Sequence, residues 1–261
     1  MRRLFPDPLE TVDLDTLVDM YAPERIPAGP AHVRVNMISS LDGAISVNGR
    51  SGPLGGEPDH KVFAVLRSHA DVIVVGATTM RSEAYGPARL DEDHERRRGE
   101  RGQSPQPPIA VITGRPEFDW TSPFFTGARA RPIVLTTTDA ATQLEQRDDV
   151  ANVADVVVAG DQRVDLATAL GVLAHRGARA VLVEGGPGIN GELARADLVD
   201  ELCLTLSPRI VGGEGPRILA GPVISPPYEP EIRHVLEEDG FMFLRMRLRQ
   251  GVRDAARASS A

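Results

Sequence analysis

"VLVEGGPGINGELARADLVDELCLTL", residues 181–206, opens as a buried strand and closes it on an acid, Glu184. Gly185, Gly186 and Gly188 follow at once. Glycine lets a backbone take positive φ and lets another group come close to it, so this is a turn built around something. A helix from about Ile189 and a second strand, "ELCLTL" at 201–206, complete the stretch. Such a strand–turn–helix can take a pyrophosphate on backbone N–H groups and the helix dipole.

Outward from this unit the same grammar repeats. "DVIVVG" (71–76), "IAVIT" (109–113), "PIVLTTT" (132–138) and "DVVVAG" (155–160) are short β-branched runs of the kind buried on both faces. "HVRVNMI" (32–38) alternates as a strand with one face in the core. "GEPDHKVFAVLRSHA" (56–70) and "VDLATALGVLAHRG" (164–177) have helical patterns. "EIRHVLEED" and "FMFLRMRLR" pair as an antiparallel hairpin around Gly240. The expected fold class is therefore α/β, a mainly parallel sheet with an antiparallel edge hairpin. Residues 1–30 are expected as an arm with a short helix from about Asp13, residues 31–250 as the body, and residues 251–261 as a disordered tail. Asp91–Pro108 is expected as a solvated loop, since residues 91–102 hold five acids and four arginines; a lid role stays open.

Composition narrows the function. Hydrophobic residues make up 41% and charged residues 25%, an ordinary globular balance. A net charge of −8 argues against nucleic acid or an anionic membrane as partner. Cys203 is the only cysteine, which excludes an intrachain disulfide and a zinc–thiolate cage, and no metal site is expected. No apolar run has the length of a membrane span or a signal-peptide core, so a cytoplasmic protein is expected.

In open α/β sheets ligands collect beyond the carboxyl ends of strands. After "DVIVV" come Gly76, Thr78 and Thr79, where the threonines either cap the next helix or donate hydroxyls to a phosphate. After "IAVI" come Thr113 and Arg115, an arginine placed to fork onto a phosphate. "LTTT" (135–138) is a third such end, and Glu184 with its glycines a fourth. Gly186 to Gly191 match G-x-G-x-x-G, but a Rossmann unit needs an acid about 20 residues on, and Pro208 and Arg209 stand there instead. After the first body strand, Ser40, Asp42 and Gly43 form a D-G turn or a functional loop.

"SLDG", "VIVVGATT", "VLVEGGPGINGEL" and "VDELCLTLSPRIVGG", in that order, resemble the reductase domain of riboflavin biosynthesis, the C-terminal half of RibD, from about Ala31 to Leu248. The resemblance implies a dihydrofolate-reductase-like three-layer fold and a homodimer. It also implies hydride transfer from NADPH to the ribose carbon of a phosphoribosylamino-pyrimidine, giving the ribityl product. By the same resemblance, Gly76 and Thr79 contact cofactor phosphates, Gly185, Gly186, Gly188, Ile189 and Asn190 line pyrophosphate and ribose, and Thr113 and Arg115 take the 2′-phosphate. Ser40, Asp42 and Glu83 face the substrate. Hydride delivery needs a proton source, for which a partly buried carboxyl with a raised pKa is suited. Asp42 comes first and Glu184 second. Two segments depart from the pattern: Ala44 stands where a basic residue often follows "LDG", and "SEAYGP" replaces an Asp-Asp-Pro-type run. Both touch substrate, so a related heterocycle such as a dihydropterin, and a non-catalytic NADPH-binding protein, stay open. With one cysteine and no H-x-E, the zinc deaminase chemistry of bifunctional relatives is not expected.

Overall fold

The computed structural model describes residues 1–23 and 31–248, so the expected tail lies outside the described residues. The chain divides into two compact units. Of the described residues, one holds 1–22, 33–63 and 185–248, the other 23, 31–32 and 64–184.

In chain order the elements are β1 (Arg2–Phe5), α1 (Leu14–Met20), β2 (His32–Ser40), α2 (Glu57–His69), β3 (Val72–Gly76), α3 (Ala77–Ser82), α4 (Glu92–Glu100), β4 (Ile109–Ile112) and α5 (Pro123–Thr126). There follow β5 (Ile133–Thr136), α6 (Thr138–Glu145), α7 (Asp148–Ala151), β6 (Asp155–Val158), α8 (Leu166–His175), β7 (Ala180–Val183), α9 (Pro187–Arg195), β8 (Glu201–Ser207), β9 (Glu231–Glu238) and β10 (Phe241–Arg247). The second unit stacks its strands β7-β3-β4-β5-β6, all parallel. β3, β4 and β5 are central and almost wholly buried, which is what their β-branched runs require. β6 ends the row and leaves Val158 43% exposed, so "DVVVAG" is an outer strand rather than one buried on both faces.

In the first unit the order is β1-β9-β10-β8-β2, with β2 parallel to β8 and the other pairs antiparallel. The β9–β10 hairpin turns at Asp239 and Gly240, both at positive φ, as a two-residue D-G turn demands. The hairpin lies in the antiparallel edge, where β1 pairs with β9 outside it. β8 buries its polar set, Glu201, Cys203, Thr205 and Ser207, and leaves its leucines half-buried. Glu201 accepts from Nε of Arg34 and of Arg245, and the two guanidiniums donate onward to the carbonyls of Tyr21 and Ala22 at the end of α1. The buried cluster thereby supplies N–H donors to carbonyls at a helix C-terminus, which lack partners within the helix.

Asp91–Pro108 is not a loop throughout. Asp91 caps α4, its carboxylate accepting from the His94 N–H, and Asp93 pairs with Arg96 and Arg97 one turn on. Arg98 is fully buried, donating to the carbonyls of Ala70 at 2.6 Å, Ser68 at 3.1 Å and Ser104 at 2.7 Å. The alternating charges that looked like a solvated loop are the pairs of a short amphipathic helix pinned by its arginine. Among the described residues no helix is long and apolar enough to cross a membrane, and no cluster of His, Cys, Asp and Glu is placed to hold a metal.

Candidate active site

Parallel neighbours end side by side, so β7, β3, β4 and β5 bring Glu184, Gly76, Thr113 and Thr136 into one row. Glu184 heads it, 7% exposed, with its N–H on the Val74 carbonyl. Arg67 from α2 forks onto it, Nε to Oε1 and Nη2 to Oε2, both at 2.7 Å. The Tyr85 hydroxyl donates to Oε2 at 2.8 Å, and the Arg67 guanidinium lies 5.8 Å from the Tyr85 ring centroid. Burial works to lower the Arg67 pKa, yet the Glu184 charge holds it above its ordinary value. Burial, then the Glu184 charge, pushes the Tyr85 hydroxyl well up. The Glu184 carboxylate is thus the acceptor in each of these side-chain bonds.

Gly76 is the N-cap of α3 with no side-chain cap, so neither threonine caps that helix. Thr78 is exposed and Thr79 half-buried, and Glu83 closes the helix at its other end. Thr113 spends its hydroxyl locally, donating to the Arg115 carbonyl at 2.8 Å and accepting from the Arg115 N–H at 3.0 Å. Arg115 itself is exposed, its guanidinium unpaired among the described residues. Thr136, wholly buried, leaves Oγ1 without a partner.

In the first unit, Gly185 takes φ +92 and Gly186 caps α9 with no side-chain bond, Pro187 following at the first position. Among the described residues no side chain caps the first-turn N–H groups, the arrangement that receives an anion. A Cβ at Gly188 would meet nothing within 4 Å. Ile189 is half-buried on the same turn. Asn190, fully buried, donates from Nδ2 to the Ile218 carbonyl at 3.1 Å and leaves Oδ1 unpartnered. Segment 208–230 straps α9: the Ala220 N–H bonds Pro187, and the Tyr228 hydroxyl bonds the Ala194 carbonyl at 2.6 Å.

Ser40 ends β2 beside Ser207 of β8. Gly43, at φ +87, closes the turn on the Ser40 carbonyl. Asp42 is exposed and accepts from the Ser40 hydroxyl, the Val211 N–H and the Gly212 N–H, the last at 2.6 Å. These donors, Ser40 first, hold its pKa down at about 2. The expected raised carboxyl is therefore reversed: Asp42 clamps the start of the strap and is charged at neutral pH.

The RibD C-terminal domain family model matches residues 31–245. The chain belongs to the RibD C-terminal domain family. Two 2,5-diamino-6-ribosylamino-4(3H)-pyrimidinone 5′-phosphate reductases are similar to it. That of Archaeoglobus fulgidus is 30% identical over 192 residues, 73% of this chain and 86% of that protein. That of Aquifex aeolicus is 32% identical over 167 residues, 63% and 69%. A solved pyrimidine reductase-like protein from Corynebacterium diphtheriae superposes with a TM-score of 0.73 at 27% identity, covering 84% of this chain and 92% of that one. The riboflavin biosynthesis reductase of Saccharomyces cerevisiae, 20% identical with a TM-score of 0.66 over 91% of this chain and all of that one, shares the fold. The expected fold class holds.

Within the RibD C-terminal domain frame, sequence reasoning missed Arg67 and Tyr85. Arg67 sits beside the apolar face of α2 and looks like any helix arginine. Tyr85 lies in "SEAYGP", the departure already noted, which was the available signal.

Proposed function

We propose that the chain reduces the ribosyl chain of 2,5-diamino-6-ribosylamino-4(3H)-pyrimidinone 5′-phosphate, or a close phosphoribosylamino-pyrimidine, with NADPH as hydride donor and as a homodimer. The observation that carries this reading is the Asn190 Oδ1: a buried acceptor with no partner, on a helix whose first turn is uncapped and whose Gly188 leaves open space. An orphaned buried acceptor costs about 1–3 kcal/mol unless a ligand donor meets it. A dinucleotide fits that set, with phosphates for free N–H groups and amide or hydroxyl donors for Oδ1. Thr113 and the exposed Arg115 after β4 are assigned to a 2′-phosphate, which favours NADPH over NADH.

When bound, NADPH supplies the hydride. That hydride would go to the ribosyl carbon bearing the amine, and the ring oxygen released there would need a proton to become a hydroxyl. Gly76 and Thr79 are assigned to the cofactor phosphates with Gly185, Gly186, Gly188, Ile189 and Asn190; Ser40, Asp42 and Glu83 to the substrate. Asp42 and Glu184 are the carboxyls assigned to the reacting end, Asp42 as an acceptor that positions ligand. The pyrimidine assignment draws on the activity by which the relatives are named.

Calorimetric titration of NADPH and NADH into wild type and Arg115→Ala tests the reading. NADPH should bind at least tenfold tighter than NADH, and the substitution should remove that preference. Binding of neither cofactor, or equal binding of both by wild type, refutes it.

A further inference from the structure

A carboxylate offers about two in-plane acceptor positions on each oxygen. On Glu184, Oε2 fills both, with Arg67 Nη2 at 2.7 Å and the Tyr85 hydroxyl at 2.8 Å. Oε1 takes Arg67 Nε at 2.7 Å and keeps one position open among the described residues. The guanidinium already balances the carboxylate charge, so the open position suits a neutral donor rather than a cation. At a strand end where ligands collect, a sugar hydroxyl is a donor of that kind.

The segment that delivers Tyr85 is strained. The Tyr85 N–H bonds the Met80 carbonyl at 3.0 Å and the Ala84 N–H bonds Arg81, the double closure that normally places glycine between them. Here Ala84 holds φ +52, a left-handed conformation that disfavours a Cβ. Local strain of this kind persists where the surroundings over-determine it, and it gathers at functional sites. Arg67 is braced from behind, its carbonyl 3.4 Å from Arg98 Nη1.

We propose that Arg67 and Tyr85 are positioning residues that aim the open acceptor of Glu184 at a hydroxyl of the substrate's ribosyl chain, an inference that rests on the reductase reading. Tyr85 fills the second Oε2 position and so leaves Oε1 as the recognition atom. The Tyr85 hydroxyl is thus a specificity element in the segment where this chain departs from its family's pattern.

Steady-state reduction of the ribosylamino-pyrimidinone phosphate should be compared for wild type, Tyr85→Phe and Arg67→Lys, with NADPH affinity and thermal midpoint measured alongside. The expected result for both variants is a substrate KM raised about tenfold, kcat changed much less, and NADPH affinity unchanged. Wild type should also lose about tenfold in kcat/KM on a 2′- or 3′-deoxyribosyl analogue, and Tyr85→Phe should lose less on the same analogue. An unchanged KM with a folded Tyr85→Phe protein, or weakened NADPH binding in place of substrate binding, overturns the inference alone. Equal losses on the analogue by wild type and variant do the same. No turnover by wild type overturns the reductase reading and the inference with it.

Discussion

A Cβ built on Gly191 of α9 would stand 1.9 Å from the carbonyl oxygen of Ala220. The third glycine of the G-x-G-x-x-G stretch therefore serves the strap and not the phosphate. Ala220 cannot give way freely, since its own N–H is bonded to Pro187 at 2.9 Å and its carbonyl takes Arg195 at 3.2 Å. Gly191→Ala should destabilise the protein by about 2–3 kcal/mol, read as a lower denaturant midpoint. Because Asn190 Nδ2 is held by the same strap, NADPH should bind more weakly as well. Gly188→Ala, with nothing within 4 Å, should leave stability unchanged and affect only cofactor binding.

Arg98 is the second fixed point. It remains charged at neutral pH although burial brings its pKa down to about 10, and it supplies donors to carbonyls at the end of α2. Arg98→Met keeps the stem volume but strands those carbonyls. A loss on the order of 3 kcal/mol is expected, with hydrogen exchange rising first in the last turn of α2. The substrate KM should rise with it, because Arg67 lies in that turn.

These two sites show where sequence reading stops. "VIVVG" announced β3 because a strand buried on both faces must be apolar throughout, and Gly185, Gly186 and Gly188 announced their turn by composition. α4 hid because its buried residues are His94 and Arg98, so its helix signal is charge pairing rather than an apolar stripe. β1 is a four-residue, largely exposed "RRLF" that becomes a strand only by pairing with β9. "DVVVAG" reads like β3, and only strand order makes it an outer strand. The partners of Glu184 were out of reach for another reason: Arg67 is 117 positions away and Tyr85 99, and no local pattern joins them.

His234 gives the fold an acid limit. Burial first, then the Arg245 charge, holds its pKa down at about 3, and its ring packs edge-on against Tyr21 at 4.8 Å. An unfolded histidine titrates near 6.5, so between about pH 6.5 and 3 the unfolded chain binds the extra proton. Stability from this group is complete above 6.5 and is lost as pH falls, by up to about 1.4 kcal/mol per unit. His234→Phe, which keeps an aromatic edge against Tyr21, should flatten this part of the stability profile in urea melts at pH 4–7. An equally steep profile in the variant would assign the acid limb to other groups.

Asp42 separates two accounts of the chemistry. A proton donor at this position would need its proton at neutral pH, and a carboxyl held at about 2 by Ser40, Gly212 and Val211 has none. Asp42→Asn replaces one acceptor oxygen with an NH2 group, which opposes the Val211 and Gly212 N–H donors and slackens the strap's attachment to the Ser40 turn. If Asp42 positions, the variant should raise the substrate KM several-fold and keep most of kcat, with pH dependence between 5 and 8 unchanged. If it donates, removal should cost about 100-fold or more in kcat. The geometry predicts the first outcome, since every hydrogen bond Asp42 makes is one it accepts.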